Sequence, residues 1–164
     1  MNDAELEQAL IQAMRQTFGS DTRRIDHALT VLGWAKMIRA AEGGDAKAVL
    51  AAAVLHDIGI QEAERKHGSS AGRFQEIEGP PIARKILEGL GMDQKRTEHV
   101  CRIVGSHHSA RDINTLEFRI LWDADWLVNI PDEYPEMDGE RKKNLIRKVF
   151  KTGTGRDLAL TELA

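Results

Sequence analysis

The sequence predicts an all-α fold, a single compact bundle of about six to eight helices. Two observations carry this. Apolar residues recur every three or four positions from end to end, the period of a half-buried helix. Aromatic residues make up only 5% of the chain and strand-like alternation is scarce, so strands have little support.

The elements follow from that periodicity and from the residues that start and stop helices. Leu6, Leu10, Ile11 and Met14 mark a first amphipathic helix that stops near Gly19. Ser20 or Asp21 can cap a second, which runs to about Glu42 and ends at Gly43-Gly44. Asp45 caps a third, apolar on nearly every side, ending near Gly59. Residues 60–79 read as the longest irregular stretch, with Gln61 to Lys66 adding a helical turn. Pro80-Pro81 is expected to open a helix that reaches Gly91, because the first helical N–H groups have no partner to lose. Asp93 caps a fifth helix, to about Ser109. Asn114 with Glu117 resembles a capping box for a sixth, from about Thr115 to Asn129. Gly139 precedes a long helix from about Glu140 to Lys151, and a short one follows towards Ala164. With no repeat or linker, residues 1–164 read as one domain, its core at about 22–130, with the N-terminal helix and the basic C-terminal helix packed on it.

Composition narrows the function classes. Apolar content of 41% and charged content of 30% suit a soluble globular chain. A net charge of −3 gives no general attraction to nucleic acid, so no nucleic-acid partner is expected. Cys101 is the single cysteine and cannot form an internal disulfide, which suits a reducing compartment. The acidic start Met1-Asn2-Asp3-Ala4-Glu5 lacks a signal-peptide pattern, and no apolar run approaches the ~20 residues of a spanning helix. The expectation is a cytoplasmic protein with no membrane partner; a homodimer is compatible with the sequence. Arg141, Lys142, Lys143, Arg147, Lys148 and Lys151 read as the solvated face of a core helix, and Trp122 and Trp126 as core aromatics.

Polar residues where packing expects apolar ones point to chemistry. His27 shares a stripe with Val31, Trp34 and Ile38 at i, i+4, i+7 and i+11. His56-Asp57 ends the apolar third helix. Asp123 interrupts the stripe Leu116, Ile120, Leu127, Ile130; Asp125 lies off it, although a shift of helix phase would exchange the two. Unpaired buried carboxylates cost several kcal/mol each and repel one another. One divalent cation removes both penalties, and two imidazoles with two carboxylates suit Mn, Fe, Co, Ni or Mg, with Zn also within reach of these donors.

His27, His56-Asp57 and Asp123 on helices, with His56-Asp57-Ile58-Gly59, the Gly79-to-Leu90 helix, His107-His108 and Leu121-Trp122-Asp123-Ala124-Asp125, resemble the HD-domain superfamily of metal-dependent phosphohydrolases over residues 22–130. The resemblance implies a helical bundle around a metal held by His27, His56, Asp57 and Asp123. In two-metal relatives, histidines at the place of His107 and His108 serve a second metal, and a histidine stands where this chain has Glu78. Glu78, His107 and His108 are therefore candidates for a second metal or for substrate phosphate, while His67 and His99 are expected to face solvent.

Such a site would hydrolyse a phosphate ester by attack of an activated water, with Asp57, Glu78 and His107 as candidate bases. Arg23, Arg24, Lys66 and Arg73 are candidates to hold the phosphate of a small, nucleotide-like substrate. The competing functions are a non-catalytic nucleotide-binding or signalling module and a di-iron oxygenase of the same superfamily.

Overall fold

The first turn of a helix has free N–H groups, and side chains placed just ahead of it accept them. In the computed structural model, which describes residues 1–164, Asn2, Asp21, Asp93, Thr115 and Thr152 each do so. They open five of nine helices: α1 (Asp3–Phe18), α2 (Thr22–Glu42), α3 (Ala46–Leu55), α4 (Ile60–His67), α5 (Gly72–Gly89), α6 (Gln94–Val104), α7 (Leu116–Glu133), α8 (Gly139–Val149) and α9 (Gly153–Glu162). There is no strand, and the count exceeds the expected six to eight because α4 forms within the stretch read as irregular. No helix is long and apolar enough to cross a membrane.

α3 lies at the centre. Every residue from Ala48 to Leu55 is buried, and its alanines let α1, α2, α6 and α7 approach closely. One hydrophobic cluster of 35 buried residues draws on every helix except α4.

α5 departs most from expectation. Pro80 and Pro81 lie inside it, not at its start. They delete two N–H groups that would bond the carbonyls of residues 76 and 77, a defect that breaks an isolated helix. Here Gly79 relieves the clash expected ahead of a proline, and the face bearing Gln75, Glu78, Gly79, Ala83 and Leu87 is buried, so packing holds the helix together. A Cβ on Gly59 would lie 2.5 Å from the Gly79 nitrogen, and one on Gly79 would lie 2.8 Å from Val104 Cγ1. Backbone therefore touches backbone where α5 crosses the turn that follows His56-Asp57.

α6 ends at Val104, before the expected Ser109, and a turn carries His107 and His108. α7 is capped by Thr115, whose Oγ1 accepts the Phe118 N–H at 3.3 Å, and runs through Pro131. Asn114 plays no part in this. Glu117 instead accepts the Asp45 N–H at 2.7 Å and so caps α3 across the fold. In α8 only Ile146 is buried, leaving its basic face to solvent. Trp122 is a packing residue: its indole N–H donates to the Val149 carbonyl at 2.9 Å, beneath Lys151.

Candidate metal centre

Three helices converge on one point. α2 brings His27, the end of α3 brings His56 and Asp57, and α7 brings Asp125. His56 Nδ1–H donates to the Ala53 carbonyl at 2.8 Å, so in the neutral ring Nε2 keeps its lone pair and faces inward. His27 Nε2 lies 3.3 Å from His56 Nε2, 3.3 Å from Asp57 Oδ2 and 3.1 Å from Asp125 Oδ1. His56 Nε2 lies 3.3 Å from Asp57 Oδ2 and 3.4 Å from Asp125 Oδ1. Donor atoms around an ion at ~2.1 Å stand roughly 3.0 Å apart in an octahedron and roughly 3.4 Å in a tetrahedron. The spacing and the donor chemistry both fit a divalent cation.

The electrostatics agree. Burial alone would lower the His56 imidazole, but Asp57 and Asp125 outweigh it and raise it well above its usual value. Burial alone would raise both carboxyls, but the histidines around them, His56 first, hold Asp57 and Asp125 well below the usual carboxylate range. Without a metal, the centre attracts a proton.

Asp123 is not in this group. It is fully buried, as its stripe implies, but on the opposite side of α7. Its Oδ1 accepts the Lys151 N–H at 2.8 Å; its Oδ2 accepts the Thr152 N–H at 2.8 Å and the Thr152 hydroxyl at 2.6 Å. Backbone donors from the C-terminal segment compensate this carboxylate, so it needs no cation. Burial raises its pKa, and Thr152 and Lys151 only partly offset that. Both faces of α7 are covered, and Asp125 takes the place expected of Asp123.

A second group adjoins the first. His107 Nδ1–H donates to the Val104 carbonyl at 2.8 Å, and its Nε2 lies 3.1 Å from Asp57 Oδ1. Ligand atoms of Asp57, His107 and His108 all fall within 4.8 Å of one another, as do those of His27, His56 and Asp57. Asp57 belongs to both groups. Burial, and next the His107 charge, push the partly exposed His108 ring down to about 4, so it is neutral at pH 7.

Glu78 turns elsewhere. Its carboxylate takes Lys66 Nζ at 3.2 Å and His67 Nε2 at 2.8 Å, contacts that lower its pKa, His67 first. Lys66 is thereby partnered, and so is Arg24, which meets Asp21 at 3.0 Å and Glu64 at 2.7 Å. His67, exposed as expected, stacks on Phe74, whose ring lies under the Arg73 guanidinium. His99 is half-buried and bonds Thr115 Oγ1 at 2.7 Å. Arg23 is exposed, makes no ion pair, and lies one turn before His27 on the same helix face. Gln75, absent from the sequence expectations, meets His108; no local sequence signal marks it. Surface clefts along α1 contain none of these groups.

The family model for the HD domain matches residues 24–130, a span that holds every residue of both groups. The chain belongs to the HD domain family. HD domains bind divalent metals. A crystal structure of a predicted HD superfamily hydrolase from an uncultured Thermotogales bacterium is similar in fold, with a TM-score of 0.71 and 25% identity over 98% of this chain and 90% of that one. No curated protein matches the chain.

The shifted groups of this HD domain fix a pH dependence. His56 is raised above its unfolded value of ~6.5, so its contribution to the metal-free fold is complete below that pH and is lost as pH rises through the raised value. Asp57 and Asp125 are depressed, so theirs is present above ~3.9 and lost as pH falls. Metal-free protein should therefore melt highest at roughly pH 6.5, because His108, pushed down to about 4, costs stability as pH falls below ~6.5. Mn²⁺ should raise Tm more at pH 8 than at pH 6, because metal and proton compete for the same donors and the proton competes less as pH rises. Thermal melts with and without Mn²⁺ across that range check this, and an Mn²⁺ gain independent of pH would refute it.

Proposed function

We propose that this HD domain is a metal-dependent phosphohydrolase acting on a phosphate ester of a nucleotide or other small phosphorylated metabolite. The observation behind it is the meeting of His27, His56, Asp57 and Asp125, with Nε2 of His56 directed at two carboxylates. These four residues would hold the ion. A bound divalent cation would neutralise phosphoryl charge and lower the pKa of a water there.

The chain's own groups supply the rest. Arg23, with no carboxylate partner, is the best placed cation to meet phosphate at the mouth, and Arg73 is also free of carboxylates. Lys66 and Arg24 would first have to leave Glu78 and Glu64. Asp57 and His107 are better placed to take a proton at the centre than Glu78, whose oxygens Lys66 and His67 engage on the α4 side. Asp57, shared between the two groups, would fix the nucleophile's direction. A second cation at Asp57, His107 and His108 would make the centre dinuclear; a di-iron oxygenase would need Glu78 as a ligand as well, and Lys66 and His67 engage that carboxylate, so metal identity and count separate the readings.

The test is phosphate release from a panel of mono- and diesters with Mn²⁺, Co²⁺ or Mg²⁺. Asp57→Ala should lower turnover by more than about a hundredfold, beyond what losing an outer-shell partner does. A wild-type protein loaded with metal and inert across the panel would remove the proposal.

A further inference from the structure

Both ends of the Gln75 side chain are committed. Gln75 is buried on α5, and its Nε2 amide donates to the Ser70 carbonyl at 2.7 Å. A carbonyl only accepts, so the amide oxygen must be the end that faces His108 Nε2, at 3.1 Å. An amide oxygen only accepts as well. His108 Nε2 therefore carries the hydrogen, and the lone pair of the neutral ring lies on Nδ1.

His56 and His107 show the same logic in mirror image: each donates Nδ1–H to the carbonyl three residues earlier and bares Nε2. For His108 the fixed acceptor is a side chain on another helix. The turn itself is held separately, by Glu76, whose Oε2 accepts the His108 N–H at 3.1 Å and the Ser109 N–H at 2.9 Å. Gly72 gives the ring its room, since a Cβ there would lie 2.8 Å from His108 Cγ. Of His108, Gln75 thus engages the ring and leaves the backbone to Glu76.

We propose that Gln75 is a positioning residue that presents His108 Nδ1 to a second divalent cation shared with Asp57 and His107. This rests on the metal-dependent reading of the Asp57 centre. Outer-shell partners of ligating histidines are worth about 10- to 100-fold in metal affinity.

The experiment is Mn²⁺ titration of metal-free protein, with unbound Mn²⁺ counted by its electron paramagnetic resonance signal. Wild type should take up two ions per chain. Gln75→Leu should bind the first ion within about twofold of wild type and the second about 10- to 100-fold more weakly. Gln75→Glu keeps an acceptor for the ring while losing the Ser70 bond, and should hold the second ion close to wild-type affinity. It also serves as the readout if the leucine variant does not fold. Uptake of a single ion by wild type, equal weakening of both ions in Gln75→Leu, a second ion unaffected there, or its loss in Gln75→Glu would each overturn the assignment. Phosphate release by protein holding one ion would leave the hydrolase reading standing, whereas failure to bind any ion would end both.

Discussion

Asp125→Ala is expected to weaken binding of the first metal ion by more than about a hundredfold and to abolish phosphate release, with the fold intact. The carboxylate lies 3.1 Å from His27 and 3.4 Å from His56 and is one of two that share the centre. Its removal takes away a metal donor and also one of the two carboxylates that hold the His56 proton, so the metal-free protein should lose part of its stability as well, although relief of the repulsion from Asp57 limits that loss. Metal titration beside a thermal melt of metal-free protein reads the two effects apart. Wild-type metal affinity in this variant would remove Asp125 from the centre.

Asp123→Ala should behave in the opposite way: a fold weakened by about 3–5 kcal/mol, with the first metal still bound by the molecules that remain folded. Three donors, the N–H groups of Lys151 and Thr152 and the Thr152 hydroxyl, lose their acceptor in a buried place. For a domain of this size each kcal/mol lowers Tm by roughly 2–4 °C, so the fall should be on the order of 10 °C. Denaturant unfolding measures it directly. A variant as stable as wild type but unable to bind metal would reverse the roles given to the two aspartates.

That pair shows what the sequence could convey. The stripe Leu116, Ile120, Asp123, Leu127, Ile130 identified a buried carboxylate correctly, because periodicity reports burial. It could not say what compensates the charge, since the compensating N–H groups come from Lys151 and Thr152, far along the chain. Asp125 escaped a wheel argument because α7 is covered on both sides. His27, His56 and Asp57 stand together where their apolar neighbours implied an inward direction. The pairing of Glu78 with Lys66 and His67 was not legible, because those two residues end α4, of which the sequence showed only a helical turn from Gln61 to Lys66 and no direction relative to α5. The course of α5 through Pro80-Pro81 was likewise illegible: local propensity argued for a start there, and only tertiary packing carries a helix past two missing donors.

The meeting of Gly59 with Gly79 has a consequence for how this molecule can be altered. Donors can be exchanged one side chain at a time, but the gauge between the part of the centre hung from α3 and the part steadied by α5 is set where two main chains abut. No rotamer can absorb a change there. A redesign that sought to widen the centre for a larger ion or a bulkier ester would have to move a whole helix, and would begin at those two glycines.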